Sequence, residues 1–333
     1  MIYFITGATG FIGASLVNYL VKEGHQVKAL VRSKEKASEI FHEKVQLYVG
    51  TLSETSVIEE ATEGVDGIFH LAAFAQPYAK DKTLYNKINA EATKALFNIA
   101  YKKNIKRIVF TSTAGTFGPS WDEPVNENTV RSHDFFNEYE STKFIAEKIA
   151  KDFVLNGLDI VIVHPTRVYG PGRLSKSNAV TLMIKKYVQA LWYVIPGGDG
   201  SKIGNYVFIE DVVKGHVAAM NKGIAGEQYL LGGENKSYED FFKMLRTLSG
   251  KNHMLFKVPV WALSVFAAVQ MKIALLLNQN PLLPPKWVKK YLYNWAVSSK
   301  KAREQLDYNV TPLKDGFAKT IEWVKTQQYE SKK

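Results

Sequence analysis

Short apolar runs alternate with longer amphipathic stretches through the first half of the chain. The first run, Ile2-Tyr-Phe-Ile5, is continuously apolar and rich in strand-forming residues, which is typical of a strand buried on both faces. Further strands are predicted over residues 27–31, 45–50, 67–70, 107–111 and 158–163, and helices over residues 14–21, 84–101 and 137–154. This alternation predicts an α/β fold, a doubly wound parallel sheet covered by helices on both faces.

The pattern changes after residue 170. Helical periodicity dominates there, with short strands predicted only near residues 206–209 and 228–231. A chain of 333 residues is long enough for one large core and a smaller second one. We therefore predict a main domain over residues 1–170, with sheet elements that return near residues 203–223. Residues 171–330 are predicted to form a smaller, mainly helical region that is interleaved with it.

Three glycines follow the first predicted strand and precede the first predicted helix, in the stretch Thr6-Gly-Ala-Thr-Gly-Phe-Ile-Gly13. Gly7 permits a tight turn, Gly10 allows backbone to approach a pyrophosphate, and Gly13 lets the helix pack closely on the strand. The amides at the start of the helix would face the phosphates. The strand, glycine turn and helix together predict a dinucleotide-binding site.

The residues after the second strand indicate which nicotinamide cofactor is used. An acidic side chain there would bind the adenosine 2′-hydroxyl, whereas a cation accommodates a 2′-phosphate. The chain has Arg32, Ser33 and Lys34 at this place, which favours NADP(H), with NAD(H) as the alternative. The small residues after the fourth strand, at positions 71–73, would let the cofactor pass close to the backbone.

Tyr139 and Lys143 are four residues apart on a predicted helix and therefore lie on one face of it. Tyrosine is a weak acid near pKa 10, and a neighbouring ammonium is expected to lower that pKa toward neutrality. Thr113 or Ser112, at the end of the fifth strand, could hydrogen-bond the oxygen of a substrate. The same tyrosine–lysine spacing occurs twice elsewhere, so the position after strand five supports this set of residues as catalytic.

The composition excludes several classes of function. The chain has no cysteine, so disulfides and thiolate chemistry are excluded, and we predict no metal site. The net charge is +11, but no arginine-rich tract interleaved with aromatics indicates nucleic-acid binding. The first residues form a strand rather than a charged leader, so a cytoplasmic location is expected.

A nearly continuous apolar stretch over residues 258–277 is followed by an aromatic segment. One interpretation is a set of helices packed over the substrate site. The other is a peripheral membrane contact through residues 258–297, which the positive charge would assist at an anionic surface. Residues predicted to line a pocket for an apolar or ring-shaped carbonyl compound are Phe74, Tyr78, Trp121, Arg173 and Trp192.

These motifs together resemble the extended short-chain dehydrogenases/reductases, and most of all the branch that is similar to dihydroflavonol reductases. The matching stretches are Thr6–Gly13, His70-Leu-Ala-Ala73, Asn89-Ala-Glu-Ala-Thr93, Thr111-Ser-Thr-Ala-Gly115, Tyr139-x-x-x-Lys143, Pro165-Thr-Arg-Val-Tyr-Gly-Pro171, Phe208-Ile-Glu-Asp-Val212 and Ser299-Lys-Lys-Ala302. They cover nearly the whole chain in the order of the family. The resemblance implies a Rossmann-type sheet and a homodimer formed through the helices predicted at 84–101 and 137–154.

The resemblance also implies residue roles. Tyr139 would be the acid/base, Lys143 would anchor the ribose and tune the tyrosine, and Thr113 would hydrogen-bond the substrate. Two residues depart from the family's pattern: Thr51 replaces an aspartate that contacts adenine, and His164, which we interpret as a packing residue, replaces an arginine. The complete set of candidate cofactor-binding residues is Gly7, Thr9, Gly10, Phe11, Ile12, Gly13, Arg32, Ser33, Thr51, Leu52, Leu71, Ala72, Ala73, Lys143, Pro165, Thr166 and Val168.

Three functions fit these expectations. The first is an NADP(H)-dependent reductase that transfers hydride to a ketone or aldehyde, with Tyr139 as the proton donor. The second is a nucleotide-sugar epimerase or dehydratase that keeps NAD(P) tightly bound. The residues after Thr113 are Ala114 and Gly115, which lack the acidic partner that such dehydratases tend to carry. The third is a cofactor-binding protein without turnover.

Overall fold

The strands of the protein form one large sheet and two small ones. The computed structural model describes residues 1–41, 44–174 and 178–330. In these ranges the strands are β1 Ile2–Thr6, β2 Gln26–Val31, β3 Val45–Val49, β4 Gly67–His70, β5 Ile108–Thr111, β6 Ile160–Pro165, β7 Arg167–Tyr169, β8 Val194–Pro196, β9 Ile203–Phe208, β10 Gln228–Leu231, β11 Glu234–Ser237 and β12 Phe256–Val258.

Helices follow most of the strands. They are α1 Phe11–Lys22, α2 Lys34–Ser38, α3 Thr55–Ala61, α4 Thr83–Asn86, α5 Ala92–Lys102, α6 Glu138–Leu155, α7 Ala179–Val188, α8 Ile209–Lys222, α9 Tyr238–Ser249, α10 Val260–Leu276, α11 Pro285–Val288, α12 Lys300–Leu306 and α13 Leu313–Glu330. A π-helical segment, Lys87–Glu91, joins α4 to α5, and 3-10 turns span Ala114–Thr116 and Lys289–Leu292. No helix within the described ranges is long and apolar enough to cross a membrane.

The large sheet is parallel, with the strand order β10-β6-β5-β4-β1-β2-β3. The chain builds outward from β1 to β3 and then continues on the other side of β1 with β4. This reversal opens a crevice at the carboxyl ends of β1 and β4, which is where ligands bind in such sheets. The predicted doubly wound α/β fold is confirmed.

The continuous apolar runs are explained by helices on both faces of the sheet. Along β1, Phe4 packs with α3, α5 and α6, whereas the next residue, Ile5, packs with α1 and α8. Along β5, Phe110 and Val109 divide between the same two clusters. Because successive strand residues point to opposite faces, a strand covered on both sides needs an apolar residue at every position.

The return to the large sheet differs from the prediction. A strand was expected to return near residues 203–223, but β9 pairs with β7 and β11 in a separate three-stranded sheet. The strand that rejoins the large sheet is β10, whose Gln228 pairs with Ile162 of β6. Only α8 of the predicted region packs on the large sheet. The division into domains at residue 170 stays a prediction.

The remaining elements agree with the predicted types. The helix expected over residues 84–101 is a continuous helical stretch from α4 to α5, but its middle widens into the π-helical segment. The apolar stretch from residue 258 forms β12 and α10. The small sheet of β8 and β12 connects this stretch to the body of the protein.

Candidate active site

In the glycine turn between β1 and α1, backbone atoms pack directly against other backbone atoms. Gly7 has a φ of +72°, and a Cβ on it would lie 2.6 Å from the amide nitrogen of Ala72. A Cβ on Gly13 would lie 2.2 Å from the carbonyl oxygen of Gly7, closer than atoms can approach. Gly10 donates its amide to that same carbonyl at 2.9 Å. Gly7 and Gly13 therefore permit contacts that no residue with a side chain would allow.

The first turn of α1 is available to an anion. Its N-cap, Gly10, offers no side chain, and the first turn contains no acidic residue. The amides of Phe11 and Ile12 therefore have no capping side chain, while the positive end of the helix dipole lies beside Thr9. The guanidinium of Arg173 approaches the carbonyl oxygen of Thr9 at 3.4 Å. These features fit the pyrophosphate of a dinucleotide.

Arg173 was expected in the substrate pocket, and the structure places it elsewhere. Its contact with Thr9 puts its positive charge at the glycine turn, and Gly172 lies against the ring of Phe11. Trp192 is also away from any such pocket, since it donates to the carbonyl of Val194 and stacks with Phe242. Sequence alone could not separate these residues from pocket-lining ones, because their neighbours come from distant parts of the chain.

Two buried hydroxyls and one histidine hold the end of β4 in place. The Oγ1 of Thr6 lies 2.7 Å from Nδ1 of His70, whose Nε2 lies 2.9 Å from Oγ1 of Thr93. Burial lowers the pKa of His70 well below its ordinary value, so its ring is neutral. Thr6 also accepts a hydrogen bond from the amide of Ala72. This network positions the backbone of Leu71, Ala72 and Ala73 beside Gly7.

The residues after β2 include exposed cations that form no ion pair within the described ranges. Arg32 is exposed and makes no hydrogen bond or ion pair with any described residue. Ser33 is less available, because its hydroxyl caps α2 and donates to Glu35 at 2.7 Å. Thr51 bonds the carboxylate of Glu54 through both its amide and its hydroxyl, whereas the adjacent Leu52 is buried. Arg32 and Lys34 are thus two exposed cations here that form no ion pair with a described residue, and Arg32 directly follows β2.

Helix α6 carries both Tyr139 and Lys143. Asn137 caps the helix by accepting the amide of Glu140 at 2.9 Å, which begins α6 just before the tyrosine. Lys143 is 1% exposed, and its ammonium lies 4.1 Å from the centre of the Phe110 ring on β5. It makes no hydrogen bond or ion pair with another described residue. A buried cation without such a partner fits a polar ligand at this position.

Burial lowers the pKa of Lys143 to about 7, while the nearby Glu147 acts in the opposite direction. Burial raises the pKa of Tyr139 above its ordinary value, and the carboxylates of Glu140 and Glu147 raise it further. The pKa of Tyr139 therefore lies above its ordinary value, so the expected shift of this pKa toward neutrality is wrong for the protein's own residues. Tyr139 is a protonated phenol at neutral pH, the form that can donate a proton.

Glu147 is a buried residue that the sequence analysis did not identify. It follows Lys143 by one turn of α6, is 4% exposed and accepts a hydrogen bond from the hydroxyl of Ser112. Nδ1 of His164 lies 3.6 Å from this carboxylate and 3.3 Å from the carbonyl oxygen of Thr113. Burial lowers the pKa of His164, which agrees with its interpretation as a packing residue. The hydroxyl proton of Ser112 is therefore already used in a hydrogen bond to Glu147 and is not available to a substrate.

Thr113 is the hydroxyl residue left at the end of β5. It caps the 3-10 turn that follows, and its Oγ1 accepts the amide of Gly115 at 3.2 Å. A Cβ on Gly115 would lie 3.2 Å from the side chain of Glu140, so this turn packs directly on the first turn of α6. The hydroxyl of Thr113 keeps its proton for donation, because its one bond is accepted.

The π-helical segment before α5 directs Asn89 into the interior. Its Oδ1 accepts the amide of Phe74 at 2.6 Å, and its Nδ2 donates to the hydroxyl of Thr142 at 3.0 Å. Asn89 thus ties the loop after β4 to the catalytic helix. No local pattern in the sequence predicts this widening, although π-helical segments often occur at functional sites.

The side-chain amide of Asn205 holds the residues that follow β6. Thr166 donates to Oδ1 of the buried Asn205 at 2.7 Å, and Asn205 also bonds the backbone of Gly233. Pro165 pairs with Leu231 of β10, and Val168 lies in β7. The side chains of Pro165 and Val168 cannot form hydrogen bonds, so they would contact the nicotinamide only by apolar packing. This contact stays a prediction.

The unpaired Lys143 has a consequence for stability. We expect Lys143→Met to raise the free energy of unfolding by about 2–4 kcal/mol near pH 6, although it removes a site residue. Below pH about 7 the lysine is protonated in both the folded and unfolded states, and its desolvation cost is complete. As the pH rises toward 10.5, only the unfolded state still holds the proton, so the gain shrinks.

Urea unfolding at about pH 6 and about pH 9 measures this difference. The matched control is Lys148→Met, an exposed lysine on the same helix that also lies over an aromatic ring, at 4.8 Å from Phe144. It should change stability little at either pH. A gain for Lys143→Met that did not shrink with rising pH would contradict the burial of an unpaired charge.

Comparison with known proteins agrees with this geometry. The profile of the NAD dependent epimerase/dehydratase family matches residues 3–232. A protein of Synechocystis sp. named as a putative dihydroflavonol 4-reductase is 28% identical over 333 residues, covering 98% of this chain and 95% of its own. Sterol demethylase protein B of Methylococcus capsulatus is 30% identical over 260 residues, covering 78% of each chain.

A solved structure supports the fold. The UDP-glucose 4-epimerase of Thermotoga maritima, determined with UDP-glucose, superposes with a TM-score of 0.82 at 21% identity, covering 98% of this chain and 100% of its own. The family profile spans the glycine turn, the tyrosine–lysine pair on α6 and the strand β10. The chain therefore belongs to the NAD dependent epimerase/dehydratase family of extended short-chain dehydrogenases/reductases, and it is an oxidoreductase of that family.

Proposed function

We propose that the protein is an NADP(H)-dependent reductase of ketones or aldehydes. The observation that carries this proposal is the pair on α6, a protonated Tyr139 one turn before a buried Lys143 that forms no hydrogen bond or ion pair with a described residue. The exposed and unpaired Arg32 supports NADP(H) over NAD(H), because a guanidinium binds a 2′-phosphate. A relative named as a reductase covers nearly the whole chain, which supports net reduction.

The side chains divide the work of a carbonyl reduction. The chemistry that NADPH would supply here, when bound, is a hydride for the carbonyl carbon. Tyr139 donates its phenolic proton to the carbonyl oxygen, on which negative charge develops as the reaction proceeds. Thr113 donates a hydrogen bond to the same oxygen and lowers the energy of that charge. Lys143 binds the hydroxyls of the nicotinamide ribose.

The positive charge of Lys143 also stabilises the phenolate that forms when Tyr139 donates its proton. Within the protein alone, burial and two carboxylates raise the pKa of Tyr139, so the phenol holds its proton until a substrate oxygen accepts it. Glu147 favours the protonated form of Lys143 through its charge. Lys143 is buried between α6 and the Phe110 ring, and charges interact more strongly at a buried position than in water.

The proposal is tested by NADPH consumption. Purified protein is mixed with NADPH or NADH and with ketones, aldehydes and nucleotide sugars, and the loss of absorbance of the reduced nicotinamide is followed. Net oxidation of NADPH with a carbonyl compound, and slower oxidation of NADH, is the expected result. No net oxidation by any carbonyl compound, together with a nucleotide that stays bound through purification, would instead favour an epimerase or dehydratase that returns the hydride to its substrate.

Arg32→Ala tests the cofactor preference within the same assay. We expect kcat/KM for NADPH to fall by about tenfold to a hundredfold, since a charge-assisted bond to phosphate contributes about 1.5–3 kcal/mol. The value for NADH should change less than about threefold, because NADH has no 2′-phosphate. Lys36→Ala, an exposed lysine on α2, is the control of equal charge change. Equal losses for both cofactors in Arg32→Ala would contradict the assignment.

A further inference from the structure

Helix α10 presents its apolar side chains outward. Only Ala267 is buried among its 17 residues, whereas Trp261 is 71% exposed and Leu276 is 86% exposed. The exposed large apolar residues of the helix are Trp261, Val265, Phe266, Val269, Ile273, Leu275 and Leu276. A surface helix of a globular protein normally has the opposite arrangement. An apolar patch of this kind marks a contact with another surface.

The apolar residues occupy one continuous face. At 100° per residue, the outward positions cover about half of the helix circumference. Lys272 is the single polar residue on that face, and its long stem can carry the charge to the edge of an apolar layer. Gln270 points the other way, donating to the carbonyl of Leu283 at 2.6 Å and accepting the amide of Leu282 at 2.8 Å.

The helix is held along the surface at both ends. Before it, β12 pairs with β8 in register from Phe256 to Val194. After it, the side chain of Asn278 accepts a hydrogen bond from Lys80, in the loop that follows β4. Leu277 and Leu282 extend the apolar face beyond the helix, and both are exposed. We call this surface, α10 together with residues 277–282, the apolar face.

The stretch of chain that contains the apolar face is rich in cations. Residues 241–303 contain eleven lysines and arginines and no aspartate or glutamate. Some of these cations pair with acids elsewhere, such as Lys286 with Glu138 at 2.8 Å. Exposed Lys251, Lys272 and Lys289 form no ion pair with a described residue. Of these, Lys272 lies on α10 itself and Lys289 lies in the 3-10 turn that packs against α10, so the apolar face carries and adjoins positive charge that no described acid neutralises.

We propose that the apolar face binds the surface of an anionic phospholipid membrane, with α10 lying in the plane of the interface. An apolar helix face bordered by lysines fits acyl chains below and phosphate headgroups around it. A second copy of the chain fits less well, because a symmetric contact would bring the same cationic surfaces together. The contact does not depend on the proposed reductase activity.

The apolar face adjoins the candidate site. Lys286, in α11, bonds Glu138 immediately before Tyr139, and Trp287 donates to the carbonyl of Pro77 in the loop after β4. Membrane binding through α10 therefore brings the first turn of the catalytic helix and this loop close to the lipid surface. An apolar carbonyl compound dissolved in the bilayer would then approach the site from the side of α11.

Vesicle flotation tests the proposal directly. The wild-type protein is mixed with vesicles of phosphatidylcholine alone or of phosphatidylcholine with phosphatidylglycerol, and the floating fraction is measured. We expect strong binding only to the second kind. The double substitution Trp261→Glu and Val269→Glu should lower that binding by about tenfold or more, because it places two charges in the apolar layer.

The matched control is Val130→Glu with Leu155→Glu, which adds the same charge at two exposed apolar residues outside the apolar face. This control variant should keep most of the binding to anionic vesicles. It should lose only the part that follows from its lower net positive charge. Replacing Lys251, Lys272 and Lys289 by glutamine should lower binding to anionic vesicles by about fivefold for each lysine. Salt should weaken binding in the wild type more than in this triple variant.

A fluorescence measurement keeps the test independent of the acidic variants. Brominated acyl chains should quench the wild-type protein more than Trp261→Phe, because Trp261 would lie among the lipid chains. Binding that is equal in the acidic double variant and its control would overturn the proposal. So would a dimer in solution that the acidic variant dissociates while wild-type protein fails to float, since a second copy would then cover the apolar face.

Discussion

Tyr139→Phe is expected to lower kcat for carbonyl reduction by about 10²–10⁴-fold, the usual contribution of a positioned proton donor. The ring of phenylalanine fills the same space on α6, so the Kd for NADPH should change by less than about threefold. The reason is that Tyr139 holds its proton at neutral pH, and its removal leaves the carbonyl oxygen to collect a proton from water. Steady-state rates and a fluorescence titration with NADPH measure the two quantities.

The control for this substitution is Tyr101→Phe, which alters an exposed tyrosine on α5. Its kcat and its Kd for NADPH should both match those of the wild type. An undiminished kcat in Tyr139→Phe would contradict the assignment of Tyr139 as the proton donor. A large loss of NADPH affinity in the same variant would instead show that Tyr139 acts by holding the cofactor, which would also contradict its assigned role.

Gly13→Ala is expected to lower NADPH affinity by about tenfold or more and stability by about 1–3 kcal/mol. In a helix, alanine is ordinarily the better residue by about 1 kcal/mol. Here its Cβ would lie 2.2 Å from the carbonyl oxygen of Gly7, so α1 has to move away from β1. That movement displaces the amides at the start of α1, which are the groups proposed to bind the pyrophosphate.

Asn18→Ala is the control on the same helix, since Asn18 is exposed and its replacement meets no backbone. This variant should keep the wild-type Kd for NADPH and be as stable as the wild type or slightly more stable. Thermal unfolding and NADPH titration of both variants measure the contrast. A Gly13→Ala protein with unchanged affinity would show that the close contact between α1 and β1 is not needed for binding.

Much of the fold could be predicted from the sequence because the signals are local. A strand covered on both faces requires consecutive apolar residues, so β1, β4 and β5 are visible as short runs. A turn that brings backbone against backbone requires glycine, so Gly7 and Gly13 are visible by their spacing. Tyr139 and Lys143 share a helix face by periodicity alone.

Contacts between distant segments decided the order of the strands in the large sheet and the sheet to which each strand belongs. The sequence indicated a strand near residue 206, but only the pairing of β9 with β7 and β11 places it in a small sheet. The predicted homodimer also concerns contacts beyond one chain, and it stays a prediction. A strand pattern reports burial, and it does not report which neighbour supplies the hydrogen bonds.

The sequence by itself determined the α/β fold, the glycine turn and the helix that carries Tyr139 and Lys143, since periodicity and residue type suffice for each. Only the tertiary structure decided the electrostatics of the site. It buried Lys143 against Phe110, brought Glu147 to Ser112 and raised the pKa of Tyr139. It also turned the apolar side of α10 outward. Burial and the distances between charges depend on residues far apart in the chain, which no local pattern records.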